Sequence, residues 1–140
     1  MKGKNDRTDP VLKTKELIDP ERKRALIVDD ETDICYLLSN ILKQRNIQTV
    51  FAGSLAEADK LLQSPDHFYY VFLDNHLPDG QGINSIKRWK EKFPSIHVIM
   101  ITAHDSYEER KKATRDGADY FISKPFSKEI ILNSIVQTRA

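Results

Sequence analysis

The sequence predicts an α/β fold: a doubly wound, five-stranded parallel sheet covered by five helices. Three observations carry this. Short apolar runs rich in Val, Ile, Leu and Phe recur along residues 25–123 without polar alternation, as expected for strands buried on both faces. Between them lie segments with apolar residues at helical spacing. The connections are short, which suits βα units with helices on both faces of the sheet.

Ala25–Val28 reads as the first strand. Glu31–Arg45 reads as the first helix, with Ile34, Leu37, Leu38, Ile41 and Leu42 expected on one face. Cys35 lies in the same stretch and reads as a small buried hydrophobe. Ile47–Ala52 is the second strand. Ser54, with Glu57 three residues on, forms a capping-box pattern that starts the helix Leu55–Gln63. That helix is expected to bury Leu55, Ala58, Leu61 and Leu62, and Pro65 ends it. Tyr69–Asp74 is the third strand, followed by a turn over Leu77-Pro78-Asp79-Gly80-Gln81-Gly82. The third helix, Ile83–Phe93, packs Ile83, Ile86, Trp89 and Phe93 before Pro94 closes it. Val98–Thr102 is the fourth strand. Ser106–Asp116 is a charged helix ended by Gly117. Tyr120–Ser123 is the fifth strand and Ser127–Thr138 the last helix.

Four of the five strands stop abruptly at reactive groups. Asp29 and Asp30 follow the first, Asp74 the third, Thr102 the fourth and Lys124 the fifth. The second ends at Ala52 without one. In a flavodoxin-like strand order, 2-1-3-4-5, strands one, three, four and five are contiguous and the second lies at the edge. The reactive ends then converge at the carboxyl edge of the sheet, where open α/β sheets bind ligands. Three carboxylates held together repel one another unless a cation lies among them. Magnesium suits such a site, because it takes oxygen ligands and fills its shell with water and phosphate oxygens. A carboxylate nucleophile, a cation and a fixed ammonium are the parts that phosphoryl transfer uses. Taken singly, the same residues read as a strand-end turn with a helix cap, a turn initiator, a β-branched strand residue and a surface lysine.

A chain of 140 residues fits one domain, large enough to need no disulfide. Its single cysteine cannot form an internal one and is compatible with a reducing compartment. The net charge of +1 excludes a chain-wide polyanion binder. The excess is local, since residues 1–24 hold eight Lys/Arg and five Asp/Glu. That segment reads as a charged, mobile N-terminal extension whose weakly apolar patch is Val11, Leu12, Leu17 and Ile18. No apolar run approaches the ~20 residues of a membrane span, and the polar start shows no secretory signal. His67 and His97 have no partners at zinc-ligand spacing.

The combination resembles the response regulator receiver domain of two-component signalling. The matching pieces are Ile27-Val28-Asp29-Asp30-Glu31, Leu73-Asp74 with Pro78 and Gly82, Ile101-Thr102-Ala103-His104, Gly117-Ala118-Asp119 and Lys124-Pro125-Phe126. They span residues 25–126, and the flanking helices extend the likeness to a receiver domain over residues 25–140. The resemblance implies that Asp74 is the phosphoacceptor and that Asp29 and Asp30 are the acidic pair. Asp30 would be the more direct magnesium ligand, with Asp74 and the backbone carbonyl of His76 beside it. Thr102 and Lys124 would bind the acyl phosphate, and Phe121 would be the switch aromatic that moves with Thr102. The face between helices 106–116 and 127–138 would be the output surface and a homodimer contact. A sensor histidine kinase or a histidine phosphotransfer protein would be the partner, in the cytoplasm, with no nucleic acid or membrane bound by this domain. Self-phosphorylation from a phosphodonor and autodephosphorylation would be its only chemistry.

Two positions depart from the family's commonest pattern. Asn75-His76 follow Asp74 where apolar residues are frequent, and His104 stands two beyond Thr102. In the family these positions border the route to the phosphoryl group and tune the dephosphorylation rate. Two other readings compete. A phosphohydrolase of the haloacid dehalogenase type expects a second Asp two positions after the nucleophile, where His76 stands. A flavin-binding protein of the same fold needs a phosphate-cradling first loop, which Asp29-Asp30-Glu31 would repel. One helix fits after residue 126, so no output domain is expected there. The reading leaves open both a stand-alone receiver and a segment of a longer protein.

Overall fold

A computed structural model describes residues 22–65 and 67–138. The patch Val11, Leu12, Leu17 and Ile18 lies outside them. Five strands form one parallel sheet: β1 (Arg24–Val28), β2 (Gln48–Ala52), β3 (Tyr70–Asp74), β4 (His97–Thr102) and β5 (Tyr120–Ser123). Their order is β2-β1-β3-β4-β5, as the placement of the reactive ends anticipated. Five helices connect and flank them: α1 (Thr32–Lys43), α2 (Leu55–Leu62), α3 (Ile86–Lys92), α4 (Tyr107–Asp116) and α5 (Lys128–Thr138). Among the described residues no helix is long and apolar enough to cross a membrane.

The period-two geometry of strands splits the core into two layers. On one face Ala25, Ile27, Tyr70, Phe72, Ile99 and Ile101 pack under α1 and α5. On the other Leu26, Val28, Val71, Leu73, Val98 and Met100 pack under α2, α3 and α4. Both layers are fully buried along β1 and β3, which is why these strands lack polar alternation.

The boundaries differ by a residue or two from the expectation, and two differences are physical. Leu37 is 46% exposed, whereas Cys35 is buried. At about 100° per residue, Leu37 lies roughly 110° from the centre of the stripe made by Cys35, Leu38, Ile41 and Leu42. The third helix is not continuous from Ile83, because residues Gly82–Ser85 form a 3-10 turn before α3 begins. The cause is local. The Asn75 side-chain oxygen accepts the Ile83 N–H at 2.9 Å, and the Asn75 carbonyl accepts the Gly82 N–H at 2.9 Å. Those bonds tie the first turn to the end of β3. The expected turn at 77–82 also contains a two-residue antiparallel ladder, His76–Leu77 with Gly80–Gln81.

Helix α2 is capped from two directions. The Ser54 hydroxyl accepts the Glu57 N–H, as the capping-box pattern expects, while the Glu57 carboxylate reaches one residue further back and accepts the Gly53 N–H. Two further orphan donors, Leu55 N–H and Ala56 N–H, go to the carboxylate of Asp79 at 2.9 and 3.0 Å. These bonds hold the Asp79 carboxyl below its ordinary range. Helix α4 starts in the same manner at Ser106 and ends at Gly117, whose φ of 114° is a left-handed conformation that favours glycine.

Candidate functional site

The carboxyl edge of the sheet brings three carboxylates and one ammonium together. β1 delivers Asp29, 4% exposed, with Asp30 next to it in the open. β3 delivers Asp74, 6% exposed. One ligand oxygen from each of Asp29, Asp30 and Asp74 lies within 4.8 Å of the others. From the end of β5, the Lys124 ammonium reaches back to Asp29 at 3.1 Å, Glu31 at 2.9 Å and Asp74 at 3.5 Å. Parallel strands place these ends side by side although their residues are far apart in sequence.

The electrostatics record unrelieved negative charge. Burial, and then the neighbouring Asp29, push the Asp74 carboxyl up to about 6, against the pull of Lys124. Burial also raises Asp29, although the Glu31 N–H and Lys124 oppose it. Burial alone would lower the Lys124 ammonium. Its hydrogen bonds to Glu31 and Asp29 and the charges of Asp29 and Asp74 outweigh that and hold it above its ordinary value. An all-oxygen cluster with one open side and excess charge fits a hard divalent cation. The donor set therefore can hold a metal.

Thr102 is fully buried at the end of β4. Its hydroxyl accepts the His104 N–H at 3.1 Å, and its carbonyl accepts the Lys124 N–H at 2.8 Å. Thr102 thus joins the β4–α4 loop to the strand end that carries Lys124, and it makes no bond to the carboxylates. His76 and His104 are both exposed, and their rings face each other with centroids 4.6 Å apart. Phe121 is half-buried on β5. The Arg110 guanidinium lies 4.6 Å over its ring and also forms a two-pronged pair with Asp105 at 2.7 and 2.9 Å. That pair, with the Ser123 hydroxyl, holds the exposed Asp105 carboxyl down near 2.

Cys35 is buried as expected. Its Sγ lies 3.4 Å from the Asp29 carbonyl, and burial with the nearby Asp29 charge pushes the thiol up to about 11. Such a thiol is a packing group. His97 stands at the start of β4, against Tyr69 and Tyr70 and away from the carboxyl edge. Burial lowers it, against the opposing charge of Asp119.

The sequence reading missed three residues that build the site. Asn75 is fully buried and shapes the turn after Asp74, with its side-chain Nδ2 unpartnered. Glu31 takes one arm of Lys124. Asp79 fastens the 75–82 loop to α2. Their residue types mark turns and caps in general, and only the fold supplies their partners.

A doubly wound α/β domain with an acidic cluster and a lysine at its carboxyl edge is the class defined so far. The family model described as the response regulator receiver domain matches residues 25–136, and the chain belongs to that family. Among curated proteins, the response regulator PilR of Pseudomonas aeruginosa is 38% identical over 104 residues, covering 74% of this chain and 23% of PilR. The chain spans about a quarter to a half of the length of the curated relatives it matches. The beryllofluoride-activated NtrC4 receiver domain dimer superposes with a TM-score of 0.76 at 41% identity, covering 81% of this chain and 93% of that one. A response regulator of Burkholderia pseudomallei, solved with a phosphorylated aspartic acid, a calcium ion and citrate, gives 0.74 at 28% identity, covering 80% and 65%. The chain is therefore a phosphoacceptor-type signalling module of two-component systems, and the phosphohydrolase alternative finds no support among these relatives.

Proposed function

We propose that Asp74 accepts a phosphoryl group from a phosphohistidine of a sensor histidine kinase or a histidine phosphotransfer protein, in the cytoplasm, with Mg2+ as cofactor. The observation that carries this is the convergence of Asp29, Asp30, Asp74 and Lys124 at one sheet edge. A carboxylate oxygen of Asp74 bonds to phosphorus as the phosphorus–nitrogen bond breaks, and the leaving imidazole takes up a proton. Lys124, already 3.5 Å from Asp74, can pivot onto a phosphoryl oxygen, and the Thr102 hydroxyl can exchange its backbone partner for another. Asp29, Asp30, Asp74 and the His76 carbonyl would hold the cation. When bound, Mg2+ neutralises the carboxylate and phosphoryl oxygens that would otherwise repel. The same parts support phosphorylation from a small phosphodonor and hydrolysis of the acyl phosphate by water. The Burkholderia protein was solved with a phosphorylated aspartic acid and a calcium ion, which supports a divalent cation as part of this reading.

Asp30→Asn tests the metal assignment. Mg2+ affinity should fall at least about tenfold, and phosphorylation should fall with it, while the circular dichroism spectrum stays native. Normal Mg2+ affinity in this variant would remove Asp30 from the ligand set.

The output is read at Phe121. If Thr102 moves towards the phosphoryl oxygens, space opens behind it, and filling that space with the Phe121 ring keeps packing contacts that a void would forfeit. The ring then leaves the Arg110 guanidinium. It also leaves a groove of about 520 Å³ lined by Tyr107, Arg110, Lys111, Thr114, Arg115 and Phe121. A partner, including a second copy, can read the two surfaces as a population shift. The activated NtrC4 receiver is a dimer, which supports a homodimer here, and we assign its contact to the face of α4 and α5. Beryllofluoride with Mg2+ should shift amide resonances at Asp74, Thr102 and Lys124 and extend to Phe121 and residues 106–123. Shifts confined to the first three would separate phosphorylation from this output face. The extension expected over residues 1–24 is assigned to the part before β1, whose first residue is Arg24.

A further inference from the structure

The two histidines that break the family's apolar pattern meet in space. Their ring centroids are 4.6 Å apart and their planes cross at 53°. Both residues are exposed. Neither imidazole has a hydrogen-bond or ion-pair partner among the described residues. Their stems are nevertheless anchored. His76 is paired with Gln81 in the short ladder after β3, and the His104 N–H is bonded to the Thr102 hydroxyl. Two fixed loops from neighbouring strand ends thus present two free imidazoles to each other.

We propose that His76 and His104 form a two-imidazole site for a borderline divalent cation, of which Zn2+ is the representative, separate from the carboxylate cluster. Neutral imidazole is a donor that zinc, nickel and copper take readily, whereas magnesium selects oxygen. The carboxyl edge therefore offers two donor sets that sort cations by chemistry. Geometry agrees. Two imidazole nitrogens at ~2.0–2.1 Å from one zinc ion, at a near-tetrahedral angle, put the ring centroids about 5 Å apart. The observed 4.6 Å needs only small rotamer adjustments. The coordination positions left over face solvent and can hold water or an anionic oxygen. The other two histidines, His67 and His97, lie at the opposite end of the sheet, before β3 and at the start of β4. The only cysteine is buried with a raised thiol pKa.

The proposal concerns the unphosphorylated chain, in which the His104 N–H is bonded to the Thr102 hydroxyl. Calorimetric titration of the whole chain with Zn2+, in Mg2+-free buffer, should show one site of roughly micromolar affinity. Joining two donors on one scaffold is an effective-concentration gain, so His76→Ala and His104→Ala should each weaken Zn2+ binding by roughly 100-fold. Asp30→Asn should retain it. In nitrogen-15 spectra, the imidazole nitrogens of His76 and His104 should be the first to move. Absence of binding overturns the proposal. So does binding that survives in both histidine variants, or that is lost in Asp30→Asn, because the ion would then sit elsewhere or among the carboxylates. Mg2+-dependent phosphorylation of the same samples without Zn2+ tests the phosphoacceptor reading separately.

Discussion

Asp74→Asn is expected to take up no phosphoryl group from acetyl phosphate or a cognate kinase with Mg2+, while the native chain gains one that hydroxylamine releases. A carboxamide has no anionic oxygen to attack phosphorus. Undiminished labelling of the variant would remove Asp74 from the role. The same substitution should stabilise the fold. Burial and the Asp29 charge raise the Asp74 carboxyl from 3.8 to about 6, so ionising it in the native state costs about 2–3 kcal/mol at neutral pH without a bound cation. The native state binds this proton more tightly than the unfolded chain does. The penalty is therefore fully present above about pH 6 and disappears as pH falls below 3.8. In cation-free buffer, urea titrations at pH 7 should give Asp74→Asn a higher midpoint than the native chain. The difference should shrink towards pH 4. A gain that is independent of pH would mean that the cost of ionising the buried Asp74 carboxyl is not its source.

Gly82→Ala is expected to destabilise the chain by about 1–3 kcal/mol or more and to slow phosphorylation. A Cβ at this position would stand 2.4 Å from the Asp74 carbonyl oxygen and 2.8 Å from two atoms of the Leu73 side chain. The first of these is backbone and cannot swing aside. Leu73 is fully buried, so it has no free volume to enter. The added methyl must either push the turn away from β3, breaking the Gly82 N–H bond to Asn75, or displace Asp74 itself. Both routes disturb the Asp74 carboxylate. An unchanged denaturation midpoint with an unchanged phosphorylation rate would show that the turn can shift freely.

The strands and their order were legible because burial on both faces leaves an uninterrupted apolar run, and an abrupt polar residue at its end is conspicuous. Asp29, Asp74, Thr102 and Lys124 could be found in this manner without knowing their partners. Their grouping followed from one topological choice, which the sheet adopts. Helix faces were less legible. Cys35 is buried as expected, but Leu37 is not, because apolar character alone does not locate the centre of a stripe. Least legible were Asn75, Asp79 and the Glu31 arm of Lys124. Asn75 looked like an irregularity after Asp74, yet it is fully buried and organises the turn. Asp79 looked like an ordinary turn residue, yet it caps a helix more than twenty positions earlier in the chain. Such roles depend on tertiary proximity, for which local pattern carries no signal.

Trp89 is the only tryptophan in the chain and has no exposed surface. Its indole N–H is held by Asp59 at 2.7 Å, and Asp59 also pairs with Arg88, so the ring is fixed at the joint between α2 and α3. Excited at 295 nm, a wavelength selective for indole, the protein should emit at the blue end of the tryptophan range and move red only when that joint opens. Denaturation can therefore be followed by intrinsic fluorescence with one well-defined reporter. Adding Mg2+ at the carboxyl edge should leave the emission maximum in place, so the optical channel reads integrity of the α2–α3 layer and not occupancy of the acidic cluster. A shift on adding Mg2+ alone would reveal that the cation reorganises this layer, to which the acidic edge is joined by the 75–82 loop pinned by Asp79 and by Leu73 of β3.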